Sequence, residues 1–282
     1  MNVLCNELSN GVVMPSMAIG TNWMNYKELY PIVRAGLEAG FRAIDTARDY
    51  GNEHVVGMVL KDVLHDLGIK REEIFITTKI GNGQQMQGNI EEQLETSLKN
   101  LQTDYIDLWL MHWPYPDYFI GTWKRMEQLY GTGNGQIKAI GVANFQERHF
   151  KQLLGNSVKI VPMVNQMEYH PLRLIPSLVN YMKEHGIMLQ AYAPLCRLAS
   201  PLKDAEIFKR LHDKYGKSIG QIILRWHIQQ GSMPVFKSYK PSRFKENIDI
   251  FDFNLTDDEM QEINALNIDY KYHLESASCP GY

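Results

Sequence analysis

Short apolar runs alternate with amphipathic stretches along almost the whole chain. The runs are Met17 to Gly20, Ala43 to Asp45, Ile74 to Lys79, Tyr105 to Met111, Ala139 to Val142, Met163 to Gln166, Met188 to Ala191 and Pro234 to Phe236. Runs this short predict buried strands. Between them, apolar positions recur at three- and four-residue steps. Ile90, Leu94, Leu98 and Leu101 form one such face. Leu178 and Met182, before Gly186, mark a second, and Ile219 to Trp226 a third. That period is helical. The runs near Pro162 and Pro234 begin with proline, which is tolerated at a strand start.

Alternating strand and helix predicts a parallel sheet in an α/β fold. Eight repeats in 282 residues favour a closed barrel over an open sheet. No Pro/Ser-rich linker or low-complexity tract divides the chain, so one domain over residues 1–282 is expected. Ser9-Asn10-Gly11 separates Val3-Leu4 from Val12-Val13-Met14. Asn-Gly is a strong hairpin signal.

Composition narrows the function classes. With 44% hydrophobic and 22% charged residues, a core of normal size can be buried. The net charge of −3 comes without any block of like charge, which argues against nucleic acid or membrane as partners. Cys5, Cys196 and Cys279 are far apart and odd in number. They suggest neither a disulfide framework nor a cysteine zinc site, and point to a reducing cytoplasm. The nine histidines show no metal-ligand spacing, so no metal is expected. Residues 1–7 lack the basic start and apolar stretch of a signal peptide.

Barrels of this kind carry their chemistry at the C-terminal ends of the strands. Those ends here are Asp45, Lys79, His112, Asn144, Gln166, Tyr192 and Lys237. Tyr50 follows Asp45 closely. Singly, each has a bland reading: a structural ion pair, a satisfied core histidine, a tyrosine packed in a turn. Together they suit proton transfer. A phenol with an ordinary pKa near 10 is a poor acid at neutral pH. Lys79 would stabilise the phenolate and lower that value. Asp45 would keep the lysine charged, and His112 would hydrogen-bond and orient a substrate oxygen. The set fits carbonyl reduction, with hydride from a nicotinamide.

Longer motifs make the resemblance specific. They are Gly40 to Glu53, Phe75 to Lys79, Leu108 to Pro114, Ile137 to Phe145, Val164 to Pro171, Ala191 to Leu195, and Lys237-Ser238 with Arg243 and Glu246-Asn247. In this order, and over almost the whole length, the chain resembles an aldo-keto reductase. The compact segment Trp113 to Phe119 resembles prokaryotic-type members, the diketogluconate-reductase-like enzymes. The resemblance implies a single (β/α)8 TIM barrel, with the N-terminal hairpin capping the barrel bottom. It implies NADPH as cofactor, Tyr50 as general acid, and Asp45, Lys79 and His112 completing a tetrad. Thr21 and Asp45 would line the nicotinamide ribose, and Asn144 and Gln166 would hold the carboxamide. Tyr192 would stack on the nicotinamide, with Leu195 nearby. Lys237, Ser238, Tyr239 and Arg243 would receive the 2′-phosphate, and Glu246 and Asn247 the adenine. Trp23, Tyr50, His112, Trp113, Tyr118 and Phe119 would form the substrate pocket. A monomer is expected.

Three positions depart from the family pattern. Ala143 and Ala193 stand where serines are common, and Asn22 where an aromatic is usual. Gly131 to Gly135 resembles a dinucleotide loop, but it follows a helical pattern and precedes a strand, the wrong order for a pyrophosphate turn. His170, before Pro171, matches a structural family position. Two other readings compete: an NADPH-binding sensor or regulatory subunit with slow turnover, and a Schiff-base enzyme with Lys79 as nucleophile.

Overall fold

The computed structural model describes residues 5–274 and 277–279. Val3-Leu4, expected in the first hairpin strand, lie outside the described residues. The hairpin itself is present. Strands β1 (Cys5–Glu7) and β2 (Val13–Pro15) pair antiparallel. The connecting turn closes through Gly11 N–H to Leu8 O and Leu8 N–H to Val12 O. Gly11 has φ +84°, a left-handed value that glycine takes without steric cost.

Eight parallel strands then close into a barrel. They are β3 (Ala18–Gly20), β4 (Ala43–Asp45), β5 (Phe75–Ile80), β6 (Leu108–Met111), β7 (Ile140–Ala143), β8 (Val164–Glu168), β9 (Met188–Tyr192) and β10 (Met233–Phe236). Each pairs with the next, and β10 closes the ring against β3. Every expected strand is found. The Tyr105 to Met111 run is shorter than expected, because Arg71 takes the Tyr105 carbonyl and the Asp107 carboxylate. That carboxylate also accepts the Ile76 N–H, so a side chain takes the place of one ladder carbonyl toward β5, while Ile106 still bridges Ile137 on the other side. Gly131 to Gly135 is a helix end and turn.

The helices bury the predicted faces. Helix Ile90–Leu101 buries Ile90, Leu94, Leu98 and Leu101. Helix Pro176–Glu184 buries Leu178 and Met182. The hairpin covers the N-terminal end of the barrel. Asn10 donates to the Lys138 carbonyl, two residues before β7 begins. Leu8 and Met14 join the core.

Helix Glu53–Leu67 packs very closely on helix Ile90–Leu101. A Cβ at Gly57 would lie 2.2 Å from the Asn100 carbonyl oxygen and 2.8 Å from the Leu101 carbonyl carbon. Gly57→Ala is therefore expected to cost about 1–3 kcal/mol by overpacking and to lower the melting temperature by several degrees. A thermal unfolding curve decides this. An unchanged or raised midpoint would mean that the two helices separate freely and that alanine's better helix propensity wins.

Candidate active site

The strand ends deliver their side chains to one large cavity of about 1110 Å³. Thr21, Trp23, Asp45, Tyr50, His112, Trp113, Asn144, Gln166, Tyr192, Leu195, Lys237, Ser238, Tyr239, Arg243 and Asn247 all line it. Tyr50 reaches it from a short 3-10 turn, Arg48–Tyr50, closed by Gly51 in the left-handed region. Asn144 turns the chain at the end of β7 with φ +63°, a conformation asparagine tolerates better than most residues.

Lys79 does not itself line the cavity; it is fully buried behind Asp45 and Tyr50, which do. Its ammonium donates to Asp45 Oδ1 (2.7 Å), the Thr46 carbonyl (2.9 Å) and Tyr50 Oη (3.2 Å). An ammonium has three N–H donors, so all three are used. Burial is the strongest influence on Lys79 and opposes its charge, but Asp45 and Tyr50 together hold its pKa above the ordinary value. The second Asp45 oxygen accepts from Gln166 Nε2 at 2.6 Å, and that amide also donates to Gln190. Burial dominates at Tyr50 too and pushes its phenol up, against the pull of Lys79. The sequence reading expects the opposite direction. The correction comes from desolvation, which disfavours a phenolate in an enclosed site more than the ammonium favours it.

His112 follows β6, with its ring edge-to-face on Tyr50 at 5.7 Å. Its Nδ1 lies 3.1 Å from Asp49 Oδ2. Burial pushes the imidazole down and Asp49 pulls it up, with a net downward result. Thr21 donates to the Asp45 carbonyl, while Asn52 holds the Thr21 and Met24 carbonyls. Glu53 accepts from Thr78 on β5. The residues around Tyr50 thus brace the loops that carry it.

Asn144 donates to the His112 carbonyl and accepts from the Tyr192 hydroxyl at 2.9 Å. At the far end, Lys237, Lys240 and Arg243 line the cavity with Ser238. Arg243 pairs with Glu246 at 3.1 Å, and both side chains are about one-third exposed or more. Such a pair is weak, so the guanidinium can turn to a bound phosphate. An amide-lined inner end and a cationic outer end fit an extended dinucleotide carrying a 2′-phosphate.

Three expected positions fall elsewhere. Phe119 packs edge-on against Phe145 and His149 in the core. Tyr118 is exposed and tilts against Tyr115. Neither lines the cavity, because the helix Phe119–Gly131 turns its first residue inward to the core. Glu246 is occupied by Arg243 and Ser218 and does not reach the cavity.

Their place on the wall is taken by residues that, Asp49 apart, carry no local signal. Asp49, Asn82, Arg197, Leu198, Lys240, Tyr272, His273 and Ser278 all line the cavity. Trp113 stands between the rings of His112 (6.3 Å) and His273 (5.8 Å). Cys196, Arg197 and Leu198 have φ of 43°, 47° and 53°, a strained run for L-residues beside a binding site. The tail carrying His273 is held by one buried carboxylate: Glu168 accepts the backbone N–H of Tyr272 and of His273, each at 2.7 Å. Asn82 donates to the Ser278 carbonyl. An acid next to Tyr50 was the one cue in the sequence that could have exposed Asp49.

Comparison with known proteins agrees with this architecture. The model of the Aldo/keto reductase family matches residues 12–268. Glyoxal reductase of Bacillus subtilis (strain 168) is 43% identical over 93% of this chain and 92% of its own length. Methylglyoxal reductase of Escherichia coli (strain K12) is 40% identical over 93% and 92%. A Bombyx mori aldo-keto reductase, crystallised in complex with NADP, superposes with a TM-score of 0.91 at 34% identity. It covers 98% of this chain and 97% of its own.

The Glu168 anchor makes a pH-dependent prediction. Burial raises its pKa, but His170, the two tail amides and Arg173 outweigh it, and the folded value is depressed. The unfolded state then binds the proton more tightly, so this stabilisation is complete above about pH 4.3 and is lost as pH falls through the folded value. Glu168→Gln is expected to cost about 1–3 kcal/mol, to flatten that acid limb, and to speed proteolysis within residues 270–274. Denaturant titrations between pH 3 and 6 (roughly the window of the ordinary glutamate pKa) with limited digestion test it. Equal acid slopes in both proteins would show that Glu168 does not anchor the tail.

Proposed function

Because this chain belongs to the aldo/keto reductase family, and is thus an NADPH-dependent carbonyl-reducing oxidoreductase, we propose that it reduces small aldehydes and ketones, α-dicarbonyls among them, with Tyr50 as proton donor. The carrying observation is the Lys79 ammonium, saturated by Asp45, Thr46 and Tyr50 just behind the cavity wall. The names of the glyoxal and methylglyoxal reductases support the dicarbonyl class. Among the described residues, no helix is long and apolar enough to cross a membrane, and no cluster of His, Cys, Asp or Glu could hold a metal.

NADPH, held by Asn144, Gln166 and Tyr192 at the inner end and by Lys237, Ser238 and Arg243 at the outer end, would supply a hydride to the carbonyl carbon. The residues of the chain handle the oxygen. Tyr50 Oη accepts from Lys79, which leaves its own O–H to donate toward the cavity. Burial keeps that proton in place at neutral pH. As charge develops on the substrate oxygen, the phenol gives up its proton and Lys79 steadies the phenolate. Asp45 and Gln166 keep the lysine aimed. The net reaction takes a carbonyl, NADPH and a proton to an alcohol and NADP⁺.

The Schiff-base alternative needs a neutral lysine amine. Lys79 is instead fully hydrogen-bonded and its pKa is raised, so its lone pair is held by a proton. His112 stands beside Tyr50, at the wall where a substrate oxygen would approach.

Two variants test this reading. Tyr50→Phe is expected to lower kcat by about 10²–10⁴-fold, the usual contribution of a positioned acid, while NADPH still quenches protein fluorescence. Near-full turnover would remove Tyr50 from the acid role. Arg243→Ala is expected to weaken NADPH by about tenfold, within the worth of a charged hydrogen bond, and to leave NADH little changed. Equal losses for both cofactors would place the 2′-phosphate elsewhere.

A further inference from the structure

We propose that His227 is a positioning residue for the dinucleotide: its imidazole pins the Pro194 carbonyl and so holds in place the strained stretch of cavity wall that follows β9. The proposal rests on the reading above that NADPH lies along this cavity.

That stretch is costly to keep in shape. Ala193, Pro194, Leu195, Arg197 and Leu198 all line the cavity. Ala193, Cys196, Arg197 and Leu198 have φ of 49°, 43°, 47° and 53°, values that L-residues keep only where the surroundings over-determine them. Ala193 also precedes a proline, which favours extended backbone in the residue before it. Short turns stitch the run to itself: the Cys196 N–H donates to the Ala193 carbonyl and the Leu198 N–H to the Leu195 carbonyl. Such turns shape the run but do not fasten it to the barrel. Pro194 has no N–H, so its carbonyl is its one backbone group that can hydrogen-bond.

His227 takes that carbonyl. The residue lies in the helix Ile219–Gln229 and is fully buried. Its Nε2 is 3.1 Å from the Pro194 oxygen, and its Nδ1 is 2.8 Å from Ser232 Oγ. A carbonyl only accepts, so Nε2 carries a proton. Burial pushes the imidazole down to about 3, so the ring is neutral and Nδ1 is a lone pair. The Ser232 hydroxyl, which also lies 3.1 Å from the His227 carbonyl, can donate to it. Tyr169 meets the ring edge-on at 6.0 Å and gives its own N–H to the Tyr192 carbonyl. His227 does not line the cavity, so it acts through Pro194. One neutral imidazole thus ties the strained run to a helix, two residues beyond Tyr192.

Glutamine places its amide nitrogen where the Nε2 of histidine stands, whereas asparagine reaches only as far as Nδ1. The test is the dissociation constant of NADPH, read by quenching of protein fluorescence, in the wild type, His227→Gln and His227→Asn. Asparagine is expected to weaken NADPH roughly tenfold, as for one hydrogen bond, and glutamine by less than about threefold. NADH is expected to weaken in parallel, because the contact does not read the 2′-phosphate. In turnover the loss falls on the KM for NADPH, with kcat and the KM for the carbonyl nearly unchanged. Equal affinities in all three proteins overturn the proposal, and so do equal losses in both variants, which would mean that His227 only fills space. Nitrogen-15 ring correlations of the wild type, assigned through the backbone, read the tautomer even where the variants fail to fold. The Nε2–H form supports the proposal, and the Nδ1–H form overturns it. Binding is read without turnover, so a failure to oxidise NADPH with any carbonyl would sink the reductase reading while the titrations still decide this one.

Discussion

The buried pair of Lys79 and Asp45 is the interaction that the site depends on. Taking two charges out of water costs several kcal/mol per ion before any attraction is counted. The barrel meets that cost with geometry. Asp45 ends β4 opposite Thr77, and Lys79 lies two residues further along the same face of β5, within reach of the carboxylate. Gln166 satisfies the second carboxylate oxygen from across the barrel, and the Thr46 carbonyl takes another ammonium proton. What remains of the ammonium is aimed at Tyr50. Removing either charge would leave the other unpaired in the core, a loss of about 3–5 kcal/mol. A pair that expensive constrains its surroundings, and Thr21, Asn52 and Glu53 brace the loops around it.

The cavity in front of this pair has two kinds of wall. The inner wall is strand ends and is rigid by construction. The outer wall is loops: the strained run Cys196 to Leu198 and the tail around His273. The tail is tethered through backbone N–H groups to Glu168 and through its own side chains, with His273 packed against Trp113. Arg197 sits over the Tyr272 ring at 4.8 Å and links the two loops. Such an arrangement separates chemistry from specificity.

The departures from the family pattern fit this division. Asn22 offers its backbone carbonyl to Lys237, a contact that needs no particular side chain. Ala193 lines the cavity with φ 49°, and Ala143 ends β7 just before Asn144. Asn144 keeps its bonds to His112 and Tyr192 without a neighbouring serine.

The strands, the helical faces, the barrel and the residues around Lys79 were all legible in the sequence, because each rests on a local cue. Apolar runs set the strands, three- and four-residue steps set the helices, and polar residues at strand ends mark the rim. Three things required the folded chain. The direction of the Tyr50 pKa depended on how deeply it is enclosed. The exclusion of Tyr118 and Phe119 depended on which way one helix enters the core. The contributions of Asp49 and His273 depended on contacts across 63 residues and across the width of the cavity. Spacing along a chain reports which face a residue shares with its neighbours; it carries no information on desolvation or on which distant loop arrives opposite. Those are sums over the whole packed surroundings, and only tertiary structure decides them.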